Sequence, residues 1–140
     1  MKIIPYKRRA NYYETDQMGI VHHTNYLRYF EEARLDLMRQ LNCSARELEE
    51  IGIIIPNVDA YAKYLKLLHF EDECIIVVKP TQFSGVKMRF EYEVIKDDEV
   101  YCTGYTTHCF VNRDMKPIAL QRSVPDVYAR VKKVFGEMEN

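Results

Sequence analysis

Tryptophan is absent from this chain of 140 residues, glycine and proline occur only five times each, and no long apolar run is present. A membrane-spanning helix needs about 18 consecutive apolar residues, and the chain nowhere approaches that length. The apolar start MKII ends at Pro5 and at the basic run KRR, so no secretory signal is predicted either. The sequence therefore favours a cytoplasmic protein without a membrane span.

Cysteine pairs at metal or redox spacing are also missing. The four cysteines, Cys43, Cys74, Cys102 and Cys109, form no C-x-x-C motif. A chain of this length does not need disulfides to stabilise its core. We therefore predict reduced thiols, as in the cytosol.

Neither sign of charge is in excess, because 20 basic residues face 21 acidic ones and the net charge is -1. This balance gives no general attraction to nucleic acid or to anionic lipid, so an anionic ligand would need a local basic cluster. The chain also lacks a G-x-G-x-x-G or Walker-type loop and a G-x-S-x-G motif. These absences argue against a nucleotide-driven enzyme and against a serine hydrolase.

What is present is typical of one soluble globular domain. Apolar residues make up 47% and charged residues 29% of the chain. A chain of this length can bury roughly two-thirds of the surface that its unfolded form exposes. We predict a single domain covering residues 1–140.

The longest helical pattern begins at Asn25, in NYLRYFEEARLDLMRQL. Apolar side chains recur there at steps of three and four, and charged side chains occupy the other side. The apolar positions are Tyr26, Phe30, Ala33, Leu37 and Leu41. A second, short helix is predicted in SARELEEIG, where Ser44 and Glu47 have the spacing of a capping box.

Alternating patterns typical of strands fill most of the remaining chain. The predicted strands are residues 6–13 at an edge, 57–68, CIIVVK with its start near Glu73, the run after Ser84-Gly85, and 99–112 after the Asp97-Asp98 turn. An amphipathic segment, 126–135, follows. Because most strands follow one another without intervening helices, the order argues against a parallel doubly wound sheet. It favours an α+β fold, in which a five-stranded antiparallel sheet covers one long helix and open strand edges promote self-association.

The stretch YYETDQMGIVHHTNY contains two adjacent histidines, His22 and His23. Side chains of neighbouring residues diverge, by about 100° on a helix, so the pair is poorly suited to share one ion. Neither His69 nor His108 has metal-binding spacing with them. No metal site is predicted.

Asp16 lies in the same stretch, between the first strand and the start of the long helix. An aspartate near a glycine most often forms a turn. At this position, however, free backbone N–H groups and the helix dipole concentrate positive potential. The carboxylate would act there as a nucleophile or general base, while an N–H near His23 holds a developing oxyanion. The predicted chemistry is attack on a carbonyl.

The segment DQMGIVHHTNYLRYFEEAR, residues 16–34, follows the pattern D-x-x-G-[IV]-V-x-H-x-N-Y-x-x-[FY]-x-E-x-A-R. It resembles the signature of the hotdog-fold 4-hydroxybenzoyl-CoA thioesterases and their acyl-CoA thioesterase relatives. More loosely, AYAKYLKLLHFEDE and GYTTHCFVNRDMKPIAL resemble later strands of that family. Gln17-Met18 departs from the small or proline residues common in the family, which leaves the shape of the acyl pocket open.

The resemblance implies a hotdog fold, a homodimer or homotetramer joined through its sheets, and hydrolysis of an acyl-CoA thioester. It makes Asp16 the catalytic carboxylate, as nucleophile or as base, and the backbone N–H of His23 the group that polarises the carbonyl. Coenzyme A enters as part of the substrate, and no other cofactor is expected. In other hotdog branches a glutamate on the long helix does the chemistry, which makes Glu31 an alternative; an ion pair between Glu31 and Arg34 is the competing interpretation.

Substrate binding is predicted at two groups of residues. Coenzyme A carries phosphates, and Ser84, Lys87 and Arg89 place two cations on the polar face of one strand. Pairing of those cations with acids across strands is an equally good interpretation. The second group, Tyr26, Phe30 and Tyr64, is predicted to line an acyl or pantetheine channel, although such aromatic residues more often belong to the core.

Two other functions remain open from the sequence. An acyl carrier protein would deliver the acyl group if its acidic surface docked on the basic run 7–9. A non-catalytic hotdog module would bind acyl thioesters without hydrolysing them. The sequence does not determine the acyl length or aromaticity.

Overall fold

The computed structural model describes residues 2–138, which form five strands and four helices. The strands are β1 (Tyr6–Arg9), β2 (Asn57–Tyr64), β3 (Glu73–Phe83), β4 (Lys87–Lys96) and β5 (Glu99–Cys109). The helices are α1 (Thr24–Gln40), α2 (Ala45–Glu50), α3 (Leu120–Ser123) and α4 (Pro125–Met138), and a single 3₁₀ turn (Tyr12–Glu14) follows β1.

All five strands join one antiparallel sheet in the order β1-β3-β4-β5-β2. Buried and exposed residues alternate along β3 and β4, so the sheet has one apolar face and one solvent face. The Asp97-Asp98 turn between β4 and β5 has positive φ at both residues, as a tight hairpin requires. The predicted α+β architecture, a five-stranded antiparallel sheet around one long helix, is confirmed.

Helix α1 packs on the apolar face of the sheet through the stripe that its spacing predicts. Tyr26, Phe30 and Ala33 are all buried, and the ring of Phe30 stacks on Tyr92 of β4 with 4.4 Å between ring centroids. At this contact a side chain on Gly104 would overlap the Phe30 ring, so glycine allows the helix to approach β5 closely.

Four strand boundaries differ from the prediction. Strand β2 ends at Tyr64 rather than at residue 68, and β5 ends at Cys109 rather than at residue 112. Strand β1 ends at Arg9 rather than at residue 13, because the chain enters the 3₁₀ turn at Tyr12. Strand β3 is longer than the apolar run CIIVVK and continues to Phe83. It passes through Pro80 because the register with β4 shifts there, and a bulge tolerates the missing N–H of a proline.

Strand β2 forms one edge of the sheet, and its side chains are almost all exposed. Large apolar side chains, among them Val58 and Tyr61, are about half exposed along it.

The four cysteines are free thiols. Within residues 2–138, no helix has both the length and the apolar character needed to cross a membrane.

Candidate active site

Asp16 begins a tight turn that leads towards α1. The Gly19 N–H donates to the Asp16 carbonyl at 2.9 Å, and Gly19 has a φ of +78°, which a glycine adopts without strain. The Asp16 Oδ1 accepts the Met18 N–H at 2.8 Å. The carboxylate is half-buried, so one of its oxygens shapes the turn while the group keeps contact with solvent.

Backbone hydrogen bonds fasten this turn to neighbouring segments. The Asp16 N–H donates to the Ile20 carbonyl, and the Val21 N–H donates to the Leu68 carbonyl in the loop that follows β2. The His22 N–H donates to the Glu14 carbonyl, which also accepts the Asn25 side-chain amide from the first turn of α1. Asp16 is therefore held at the amino-terminal end of α1, as the sequence predicts.

A buried carboxylate, Glu14, anchors the segment before the turn. Its Oε1 accepts hydrogen bonds from the Arg8 guanidinium at 2.6 Å, from the Tyr29 hydroxyl at 2.9 Å and from the Asn11 N–H at 2.8 Å. Burial opposes ionisation of Glu14, but these donors, Arg8 foremost, outweigh it and hold its pKa below the ordinary value. Arg8 also pairs with Glu32 of α1, so this network connects β1, the 3₁₀ turn and α1.

No role for Glu14 is evident from the sequence. The one local signal is the Asn11-to-Glu14 spacing, which matches that of a capping box. The other two partners of the Glu14 carboxylate, Arg8 and Tyr29, lie 6 and 15 residues away in the sequence. No local periodicity reveals such contacts.

His22 and His23 lie at the entrance to α1 with their rings stacked, 4.2 Å between centroids. The His22 Nδ1 lies 2.8 Å from the Thr24 hydroxyl and accepts the Thr24 N–H, so this imidazole caps the helix. No acceptor for the His23 backbone N–H is found among residues 2–138. That N–H is the group that the sequence analysis assigns to the substrate carbonyl, and it is not used within the described chain.

Two of the predicted aromatic residues lie beside His23. The Tyr64 hydroxyl donates to the His23 carbonyl at 3.1 Å, and the ring of Tyr64 packs edge-on against Tyr26. The Tyr26 hydroxyl accepts the Leu68 N–H, and burial raises its pKa to about 12. Tyr64 is exposed, whereas Tyr26 is buried, so of these two Tyr64 presents its ring to solvent at the site.

Phe30 does not reach this surface. It is completely buried between α1 and the sheet, and its ring stacks on Tyr92. In the single chain Phe30 therefore belongs to the core, as aromatic residues on a helix face commonly do, and it does not line a channel.

The predicted phosphate-binding residues lie at the other end of the sheet from Tyr64. Lys87 pairs with Cys109, whereas Tyr64 pairs with Cys102. Seven residues of β5 separate these two levels, which is about 23 Å at 3.3 Å per residue. Within one chain the structure therefore does not bring Lys87 close to the Asp16 turn.

The neighbours of Lys87 have their own contacts. The Ser84 hydroxyl accepts the Val86 and Lys87 N–H groups in the hairpin turn. The Arg89 guanidinium lies 3.8 Å from the centroid of the Tyr105 ring on the solvent face, and it forms no ion pair with an acid among residues 2–138. Its charge is therefore directed along the outer surface of the sheet.

Two further expectations concern charged residues. Glu31 is exposed, and its carboxylate lies 4.0 Å from Arg34, so the ion-pair interpretation has the geometric support.

Each residue of the basic run 7–9 has an acidic partner: Lys7 and Arg9 pair with Glu73, and Arg8 with Glu14 and Glu32. This run therefore offers less free positive charge to a carrier protein than the sequence suggests.

Asp16 and His23 line none of four surface grooves in the described part of the chain. These grooves lie on the solvent face of the sheet around Tyr105, beside the amino-terminal segment at Ile4, next to α2 and between α1 and β2.

Comparisons with known proteins show the family of this chain. Residues 11–131 match the family model of the thioesterase-like superfamily, a range that includes both Asp16 and His23. The crystal structure of a DHNA-CoA thioesterase from Staphylococcus aureus is similar, with a TM-score of 0.86 and 32% sequence identity. The similarity covers 95% of this chain and 93% of that one.

Several curated proteins are also similar to this chain in sequence. The acyl-CoA thioesterase YbgC of Haemophilus influenzae is 23% identical over 128 residues, which cover 89% of this chain and 93% of the relative. A 1,4-dihydroxy-2-naphthoyl-CoA hydrolase of Thermosynechococcus vestitus is 27% identical over 93 residues, 66% of this chain and 64% of that protein. Both of these relatives carry names of enzymes that cleave CoA thioesters.

Proposed function

The chain belongs to the thioesterase-like superfamily, and from that premise we propose that it hydrolyses an acyl-coenzyme A thioester to a free acid and coenzyme A. The observation that carries the proposal is the position of Asp16, in a turn that hydrogen bonds fasten to the amino-terminal end of α1. Similarity to enzymes named for CoA thioesters supports the same class of substrate.

In the proposed reaction the thioester carbonyl lies between the Asp16 carboxylate and the His23 backbone N–H. The N–H stabilises the negative charge that develops on the carbonyl oxygen, aided by the dipole of α1. The carboxylate attacks the carbonyl carbon, or removes a proton from a water molecule that attacks it. Either route breaks the carbon–sulfur bond and releases coenzyme A as a thiolate, which takes up a proton. The water route gives the free acid directly, whereas the nucleophilic route leaves a mixed anhydride on Asp16 that water then hydrolyses to the free acid. The unused His23 N–H and the Tyr64 hydrogen bond to the His23 carbonyl support this arrangement.

The purified protein is expected to release free thiol from acyl-CoA thioesters, with kcat/KM of about 10⁴ M⁻¹s⁻¹ or more for its preferred acyl group. A panel of thioesters graded in chain length and aromaticity, read with a thiol reagent, measures this and identifies the acyl class. Spontaneous hydrolysis without protein is the control. Thiol release at the spontaneous rate with every thioester would favour a module that binds without hydrolysing.

We also propose that two copies pair through β2. The Leu65 N–H donates to the Tyr101 carbonyl on the β5 side. Because backbone groups alternate in an antiparallel ladder, Ala60, Ala62 and Tyr64 turn their N–H and C=O groups towards the free edge. A second copy related by a two-fold axis would satisfy these groups and cover the apolar side chains beside them.

Sedimentation is expected to give a mass of at least twice the 16.7 kDa of one chain. In hydrogen exchange, the amides of Ala60, Ala62 and Tyr64 are expected to exchange slowly at high concentration and faster on dilution. The amides of Tyr61 and Lys63, which face β5, are the internal control and should be insensitive to dilution. A monomeric mass with fast exchange at the first set would contradict pairing through β2.

Pairing through β2 would also explain why Lys87 lies far from the Asp16 turn of its own chain. Antiparallel pairing of β2 with itself places the Tyr64 end of one copy beside the Asn57 end of the other. The turn before β4 lies at that Asn57 end, since Asn57 pairs with His108 and His108 with Met88. Lys87 and Arg89 lie on β4. In the second copy they would then be about three strand spacings, each about 4.8 Å, from β2 of the first copy. We propose that they bind the phosphates of coenzyme A there, near the Ser84 turn.

Lys87→Met is expected to raise KM for an acyl-CoA about three- to tenfold, because one charge-assisted contact to phosphate is lost. The KM for the same acyl group on pantetheine, which has no phosphate, should not change. Lys116→Met, at another exposed lysine, serves as the matched control. An equal rise in KM for both substrates would show that Lys87 does not act on the phosphates.

The proposed chemistry needs no metal ion or organic cofactor, because a carboxylate and a backbone N–H suffice. We place the protein in the cytoplasm, a proposal supported by the four free cysteines.

A further inference from the structure

The amino-terminal segment leaves the edge of the sheet and crosses to α1. Strand β1 begins at Tyr6, which pairs with Ile76 of β3, and Pro5 before it has no N–H to continue the ladder. Ile4 is held by the helix instead. Its N–H donates to the Gln40 Oε1, and its carbonyl accepts the Gln40 Nε2, both at 2.9 Å. This pair of hydrogen bonds keeps the segment as a bridge over the gap between β3 and α1.

A groove of about 160 Å³ lies beside this bridge. Its floor is apolar, because it is lined by the buried side chains of Ala33 and Leu37 from α1 and of Ile76 and Val78 from β3. Ala33 leaves space at the helix surface because its side chain is a single methyl group. An apolar cavity of about 150 Å³ holds one benzene molecule and stays dry without it. The groove therefore has room for about six carbon atoms.

The charges around the groove disfavour an anionic ligand. Among the described residues that line it, none is basic and only Asp36 is acidic. Asp36 and Gln40 are half-buried at the rim, where the Asp36 Oδ2 accepts the Gln40 Nε2 at 2.8 Å. An anion would lose its hydration beside a carboxylate without meeting a cation, which is costly. An uncharged hydrocarbon instead gains free energy when it leaves water for such a surface.

We propose that this groove binds an uncharged, unbranched alkyl group of about six carbons, with its chain against Ala33 and any polar end at the Asp36 rim. The groove is separate from the site proposed for hydrolysis. Ala33 lies nine residues after Thr24, the first residue of α1, which is about 14 Å at 1.5 Å per residue. Strand β1 also forms the edge of the sheet opposite β2. Binding of the alkyl group therefore does not depend on the chemistry of Asp16.

Titration of n-hexanol into protein with ¹³C-labelled methyl groups tests the site directly by nuclear magnetic resonance. Saturable shifts are expected for the methyl groups of Leu37, Ile76 and Val78. Those of Val58 and Leu65, which are exposed elsewhere on the chain, are the internal control and should not shift in parallel. No saturable shift at the first three residues would overturn the proposal.

Hexanoate separates the alkyl chain from the charge, because it has the same number of carbons and a carboxylate in place of the hydroxyl. It is expected to bind in this groove at least about tenfold more weakly than n-hexanol, as measured by the same three sets of methyl signals. Equal affinity for the two compounds would show that the groove does not select an uncharged ligand.

Variants locate the binding surface. Ala33→Leu is expected to weaken n-hexanol binding at least about tenfold, because the larger side chain occupies the floor of the groove. Ala129→Leu, at an exposed alanine of α4, is the matched control and should bind n-hexanol as the unmodified chain does. Equal affinity in these two variants would contradict binding against Ala33.

A second substitution decides the matter even if Ala33→Leu does not fold. Ile3 lines the groove from the amino-terminal segment and precedes β1, so Ile3→Ala leaves the sheet and α1 unchanged. It is expected to weaken n-hexanol binding about three- to tenfold through the loss of apolar contact. Ile51→Ala, at an isoleucine that is 55% exposed, should have no effect. Unchanged affinity in Ile3→Ala would count against the groove as the binding site.

Discussion

Replacement of Asp16 by asparagine is expected to lower kcat/KM for acyl-CoA hydrolysis by about 10²- to 10⁴-fold, the contribution typical of a catalytic carboxylate. Asparagine has the same shape, and its side-chain oxygen can still accept the Met18 N–H that shapes the turn. The loss would therefore come from the missing charge rather than from a displaced loop. Thiol release at substrate concentrations below KM, with the preferred acyl-CoA, is the measurement.

The matched control for this substitution is Asp114→Asn, at an exposed aspartate in the loop after β5. Its kcat/KM should equal that of the unmodified chain, and both variants should keep the same melting temperature. If Asp16→Asn retained more than about a tenth of the activity, Asp16 would be neither the nucleophile nor the base.

Glu14→Gln is expected to lower the free energy of unfolding by about 3–5 kcal/mol, the cost of breaking a buried ion pair by removing one partner. Glu14 is only 3% exposed, and glutamine would place an uncharged group against the Arg8 guanidinium. The shortest contact of Arg8, at 2.6 Å, would then no longer be to a charged group, and Glu32 would be its only carboxylate partner within residues 2–138. Denaturant titration at neutral pH, monitored by circular dichroism, measures the loss.

The control for the ion pair is Glu73→Gln. Glu73 pairs with Lys7 and Arg9 on the surface, where its side chain is 45% exposed, so the expected loss is below about 1 kcal/mol. A loss for Glu14→Gln as small as that for Glu73→Gln would show that the buried network does not stabilise the fold.

The same network predicts a dependence on pH. The pKa of Glu14 lies below its ordinary value of 4.5 in the folded chain, so the folded state binds the proton more weakly than the unfolded state. The stabilisation that the ionised Glu14 carboxylate gives to the folded state is therefore complete above about pH 4.5. It is lost as the pH falls through the pKa of Glu14 in the folded chain. Glu14→Gln should lack this part of the acid destabilisation. An identical pH profile in both proteins would contradict the assignment.

Local patterns were sufficient for the elements whose signals lie within a few residues. The spacing of Tyr26, Phe30 and Ala33 predicts the buried face of α1, and the alternation after Ser84-Gly85 predicts β4. These predictions succeed because helix and strand periodicity reflect which side of an element is buried. The position of Asp16 at the entrance to α1 follows from the same local order.

Contacts between distant segments were not predictable in this way. The Glu14 network joins residues of β1, the 3₁₀ turn and α1. The continuation of β3 through Pro80 depends on a bulge that only pairing with β4 reveals. The groove that Arg34 of α1 shares with Asn57 and Thr106 exists only once α1 has packed against β2 and β5.

By itself the sequence determined the α+β class, the long amphipathic helix, the antiparallel strands and the position of Asp16 before that helix, since each depends on residues close together in the chain. Only the tertiary structure decided that Phe30 belongs to the core and that Lys87 lies at the far end of the sheet from Tyr64. It also decided that Glu14, through its bond to Arg8, anchors the segment before Asp16. The physical reason is that burial, ion pairing and strand register are properties of segments that meet in space. No single segment of the chain carries that information.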